Sequence, residues 1–118
     1  MAEILIIDDN PAVRDVLGEV LRGAGYEVST AANGAEALTH MRTKGAPSLI
    51  LLDLMMPVMN GWEFRSEQLK DPSLRAVPTI ILTTVANIMA EAKLLKANGF
   101  ISKSTAYGSI LELVRTYC

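Results

Sequence analysis

The sequence predicts an α/β fold in which one parallel sheet is doubly wound, with helices on both faces. Two observations predict it. Short β-type apolar runs alternate with helical patterns from one end of the chain to the other, the mark of βαβ units. One of those runs, Leu49–Leu52, is apolar at every position, as a central strand covered on both faces must be.

Strand one reads Ile4–Asp8, and Asn10-Pro11 supplies an N-cap and a first-turn proline for a helix. Val13, Val16, Leu17, Val20, Leu21 and Ala24 recur at helical spacing, with Gly25 as the stop. Glu27–Ala31 is the second strand. Asn33 and Glu36 then open a helix carrying Ala37, Leu38 and Met41. Strand three ends at Asp53, after which Pro57 and Asn60-Gly61 turn the chain into a helix over Trp62–Leu69 of weaker periodicity. Pro78 precedes strand four, Thr79–Thr83. Ile88, Ala92 and Leu95 suggest a fourth helix closed by Asn98-Gly99. Phe100–Lys103 is strand five, and Ile110, Leu111 and Val114 mark the last helix. Five strands and five helices in strict alternation fit the flavodoxin-like order 2-1-3-4-5, whose ligands sit outside the carboxyl ends of the strands.

The chain of 118 residues reads as one domain over 1–118 with no linker. Eleven basic against thirteen acidic residues, with no basic cluster, disfavour direct nucleic-acid binding. No apolar run approaches the roughly 20 residues of a membrane span. The first residues lack the basic segment and cleavage site of a secretory signal, so a cytoplasmic location is expected. Cys118 has no partner cysteine, which excludes an internal disulfide.

The chemistry lies where the polar residues fall. Asp8 and Asp9 end strand one, Asp53 ends strand three, Thr83 ends strand four and Lys103 ends strand five. Parallel strands bring those ends to one edge. Three close carboxylates need a proton or a cation between them, and an all-oxygen set suits Mg²⁺. Asp53 could then act as an aspartyl nucleophile toward a phosphoryl group, with Mg²⁺ and Lys103 neutralising different oxygens and Thr83 donating to a third. Met56 and Trp62 read as packing residues, and His40 as an exposed surface residue away from the strand ends.

Ile-Ile-Asp-Asp-Asn at 6–10, Leu-Leu-Asp-Leu-Met-Met-Pro-Val-Met-Asn-Gly at 51–61, Leu-Thr-Thr at 82–84 and the Lys103 segment resemble bacterial response-regulator receiver domains. The resemblance covers essentially the whole chain. It implies a signalling protein of two-component phosphorelays rather than an enzyme, phosphorylated on Asp53 by a histidine kinase or phosphotransfer protein. It further implies Mg²⁺ on Asp9, Asp53 and the Met55 carbonyl, with Asp8 reaching the metal through water. Thr83, Thr84 and Lys103 would bind the phosphoryl group, and Thr83 with Phe100 would form the switch pair. Met55 and Val85 would flank the path of the hydrolytic water, and being apolar would slow loss of the phosphoryl group. The output partner is open, as is a homodimer. Two departures fall on the output side: Ser104 stands where the family has proline, and the stretch from Thr83 to Lys103 is shorter than expected. The Lys103–Ser104 bond is expected to be trans.

Two other phosphate-handling families fit less well. Haloacid-dehalogenase-like phosphatases need a proton-transferring aspartate two residues after the nucleophile, where Met55 stands. A flavodoxin-type cofactor loop would not carry Asp8-Asp9-Asn10, which repels phosphate. The alternative from another class is a receiver-fold interaction module that signals without phosphorylation.

Overall fold

The computed structural model describes residues 2–84 and 87–118, the side chains of residues 104–107 excepted. In chain order the elements are β1 (Glu3–Ile7), α1 (Pro11–Gly23), β2 (Glu27–Ala31), α2 (Gly34–Lys44), β3 (Leu49–Leu52), α3 (Gly61–Lys70), β4 (Thr79–Thr83), α4 (Ile88–Leu94), β5 (Gly99–Ser102) and α5 (Lys103–Tyr117). All pairings are parallel and the order is β2-β1-β3-β4-β5, as the alternation predicts.

Period-two alternation divides the core between the faces. Leu5 and Ile7 of β1 join Ile50 and Leu52 of β3 under Ala37, Met41 and Phe64 of α2 and α3. Ile4 and Ile6 join Leu49 and Leu51 against Leu17 and Leu21 of α1 and Ile110 and Val114 of α5. Each such side chain larger than alanine, fully buried, contributes about 1.5–3 kcal/mol. β3 is inaccessible along its length, so the central placement holds.

Several boundaries differ from the sequence reading, each for a local reason. β1 stops at Ile7, and Asp8 turns to accept the Asn10 N–H on Oδ1 (2.9 Å). On α1 the buried stripe is Val13, Leu17, Gly18 and Leu21, while Val16 and Ala24 lie off it. Gly25, at φ 97°, takes the left-handed turn after the helix has ended. α3 begins at Gly61 because Asn60 and Glu63 form a capping box, and it runs to Lys70. Its weak apolar period arises because Arg65 and Gln68 occupy its buried face.

The fourth helix ends earlier than Asn98-Gly99. Lys96 adopts φ 54°, its N–H reaches the Lys93 carbonyl (3.1 Å) and the Ala97 N–H reaches that of Ala92 (2.9 Å). That is a Schellman ending with lysine in the left-handed position. Asn98 instead pairs with Thr79, each N–H bonded to an oxygen of the other residue at 2.9 Å. The pairing draws Gly99 into β5 opposite Ile80, so β5 is Gly99–Ser102 and Lys103 becomes the first residue of α5. The described residues contain no cis peptide bond, in keeping with a trans Lys103–Ser104 bond.

Candidate functional site

The sheet register builds the site. Ile7 lies opposite Leu52, and the Asp53 N–H donates to the Ile7 carbonyl at 2.9 Å, so Asp8 and Asp53 leave adjacent strands side by side. Asp8 is fully buried and Asp53 is 3% exposed, whereas Asp9 faces solvent. One oxygen from each of the three lies within 4.8 Å of the others.

The main chain orients both buried carboxylates. Asp8 Oδ1 accepts the Asn10 N–H (2.9 Å) and Asp53 Oδ1 accepts the Leu54 N–H (2.8 Å). Their Oδ2 atoms are thereby left to converge on Lys103 Nζ, at 2.7 Å from Asp8 and 3.3 Å from Asp53. The shorter contact is an ion pair without directed hydrogen-bond geometry, so Asp8 Oδ2 is a buried oxygen with no directed donor among the described residues. A second, hard cation beside it would satisfy that oxygen. The donor set, three carboxylates and no soft ligand, fits Mg²⁺.

Electrostatics follow from burial. The Asp53 carboxyl is pushed above its ordinary value by desolvation and then by Asp8, while Lys103 and a hydrogen bond from Thr83 oppose the rise. Burial alone would lower the Lys103 pKa, but Asp8 and Asp53 outweigh it and the net direction is upward. The ammonium is therefore held charged between two carboxylates, one of which resists ionising.

Thr83 is buried at the end of β4, and Thr84, next along the chain, is exposed. Phe100 lies on β5 opposite Ile81 and is 39% exposed. Met55 is 62% exposed rather than packed into the helices. Val85 lies outside the described residues. Met56 and Trp62 pack against the core cluster, as expected. His40 is half-buried, not a free surface residue, because its Nε2 lies 3.3 Å from Glu3 Oε2. Sequence reasoning missed Arg14, whose Nη1 donates to the Asp8 carbonyl at 2.7 Å and holds the β1–α1 turn. Its one signal is a place on the first turn of the helix that follows the aspartates.

The profile of one family, the response regulator receiver domain, matches residues 4–115. The chain belongs to this family. The receiver is therefore part of the two-component signalling class, whose members interact with histidine kinases and output domains. It is 42% identical over 86 residues, 73% of the chain, to a probable transcriptional regulator, ycf27, of Porphyra purpurea. The match spans only 34% of that protein's length, so the receiver corresponds to one part of it. Among solved structures it superposes on the chemotaxis protein CheY4 of Vibrio cholerae with a TM-score of 0.89 at 32% identity, covering 100% of this chain and 99% of that one. The response regulator TrrA of Thermotoga maritima, solved in complex with Mg(2+)-BeF, gives 0.86 at 32% identity over 100% of both chains.

Proposed function

We propose that this receiver accepts a phosphoryl group on Asp53 from a histidine kinase or phosphotransfer protein, with Mg²⁺ held by Asp8, Asp9, Asp53 and the Met55 carbonyl. The observation that carries the reading is the convergence of the Asp8 and Asp53 Oδ2 atoms on Lys103 Nζ at the sheet edge. The TrrA complex, on a chain of the same fold and length, supports Mg²⁺ as the metal.

A bound Mg²⁺ would supply positive charge to the transferring phosphoryl oxygens and lower the repulsion among the carboxylates. Asp53 attacks the phosphorus through Oδ2, since Oδ1 is engaged by the Leu54 N–H. The donor's P–N bond breaks, the imidazole leaves with the bonding pair and takes a proton, and an acyl phosphate remains on Asp53. Lys103 turns from the carboxylates to a phosphoryl oxygen, a short movement for a flexible stem. Thr83 and the neighbouring Thr84 serve the remaining oxygens, and Thr83 with Phe100 carries the change to the surface. Catalysis on this view is alignment and neutralisation, with no general base required.

The test is incubation of the full chain with acetyl phosphate and Mg²⁺, followed by intact-mass analysis. One phosphoryl group per chain is expected, lost in excess chelator and in Asp53→Asn. Label retained by the Asn variant would refute the site. An unlabelled wild type would favour an interaction module that signals without phosphorylation.

A further inference from the structure

Helix α4 has little of its own to hold it. It is seven residues long, well short of what an isolated helix needs, and Ala92 is its one buried residue. Asn87, at its N-cap, adopts φ 59° and makes no side-chain capping bond. Met89 and Leu94 point outward at 56% and 77% exposure.

Ala92 and the half-buried Ile88 seat α4 on the core cluster, and among the described residues its side-chain hydrogen bonds come from α3, from two residues one turn apart. Arg65, 3% exposed, spends its guanidinium on the end of α4: Nε donates to the Leu95 carbonyl (2.9 Å) and Nη2 to that of Lys96 (2.7 Å). Its Nη1 is held by Gln68 Oε1 (2.8 Å) and Thr79 Oγ1 (3.1 Å), which root the grip in α3 and β4. A buried cation held by four hydrogen bonds, two of them to helix-end carbonyls, is costly to displace. Nearer the middle of α4, Trp62 Nε1 donates to Glu91 Oε2 at 2.7 Å, in a half-buried position open to water. The two ties therefore differ in strength by their surroundings.

We propose that α4 is a hinged element, pivoting at Leu95–Lys96 where Arg65 grips it and latched by the Trp62–Glu91 bond, so that opening the latch frees the helix without loosening the sheet. The inference is independent of phosphorylation at Asp53. Leu95 and Lys96 suit a pivot because the Schellman turn ends the helix there, and Asn98 just beyond is anchored on Thr79. Trp62 and Glu91 are positioning residues in this device.

Native-state hydrogen exchange by NMR on the full chain tests it. In Glu91→Ala and in Trp62→Phe, the Ala92 and Leu95 amides should exchange at least about tenfold faster, as for a local opening. The Asn98 and Asp53 amides should keep their wild-type rates. The double variant should exchange no faster than either single one, because both remove the same bond. Arg65→Lys, which loses the planar fork, should expose the Asn98 amide as well; should that variant not fold, the other three still decide the matter. Unchanged Ala92 and Leu95 rates in both single variants would overturn the latch, as would single effects that sum in the double variant. Asn98 or Asp53 accelerating in step with α4 in Glu91→Ala would overturn the hinge, as would an Asn98 amide still protected in a folded Arg65→Lys.

Discussion

Lys103 Nζ stands 2.7 Å from Asp8 Oδ2, closer than to the proposed phosphoacceptor, so the inaccessible Asp8 carboxylate draws its neutralising charge from the far end of the sheet order. This bridge ties β1 to the start of α5 across two intervening strands.

Removing the ammonium should therefore cost stability. A lysine pKa raised on folding stabilises at every pH below its unfolded value and loses that contribution as pH rises through the folded one. Lys103→Met should lower unfolding stability at pH 7 by roughly 1–3 kcal/mol, since buried carboxylates would be left uncompensated. The gap from wild type should close once the pH passes the raised pKa, above the ordinary 10.5. Equal urea midpoints at pH 7 would dispose of this reading.

Asp53 has the opposite sign. Its carboxyl is raised above 3.8, so between that value and the folded pKa the native state binds more protons than the unfolded chain. Stability falls as pH rises through that window, and ionised Asp53 is a net cost at pH 7. In metal-free protein Asp53→Asn should raise stability by about 1 kcal/mol, roughly 4 °C in Tm for a domain of this size. Asparagine keeps an oxygen for the Leu54 N–H. Added Mg²⁺ should raise the Tm of wild type and leave the variant nearly unmoved. Calorimetry with and without Mg²⁺ decides it, a lower metal-free Tm for the variant counting against it.

Val58 carries avoidable strain. It is β-branched, sits at φ 66° between Pro57 and Met59, whose carbonyl and N–H close a tight turn at 2.7 Å, and is 82% exposed. No packing is lost by replacing it. Val58→Asn, a residue more tolerant of that region, should add about 0.5–1 kcal/mol in urea unfolding. A lower midpoint would show that the side chain contributes something its exposure hides.

If Asp53 is phosphorylated as proposed, Met55 should govern how long the phosphoryl group survives. Its 62% exposure leaves the side chain free to lie over the acyl phosphate and exclude water. Met55→Asn or Met55→Glu, able to orient a water, should speed loss of the phosphoryl group by at least about threefold. Decay followed by intact mass beside wild type is the measurement, and unchanged rates in both variants would remove this position from control.

The parts of the molecule legible in the chain are those written in local pattern. β3 announces itself as central because four apolar residues in a row leave it no solvent face, and Asp53 inherits its place from that strand. Asp8, Thr83 and Lys103 could be brought together on paper because parallel strands share a direction. The same reasoning misjudged the end of α4. There Asn98 looked like a helix stop, but its partner is Thr79, 19 residues away, and that pairing starts β5 at the next residue, Gly99.

From sequence alone came the doubly wound sheet, its strand order and the edge on which the carboxylates meet, since hydrophobic period and chain direction are local properties that survive any detail of packing. Only the tertiary structure decided which polar groups pair across that scaffold: His40 with Glu3, 37 residues apart, Trp62 with Glu91, and Arg65 with the carbonyls that end α4. Such pairs carry no periodic signature. A buried arginine on a helix reads as a solvated one until folding withdraws the water and obliges every donor to find an acceptor, and which acceptor that is depends on where the neighbouring helix comes to rest.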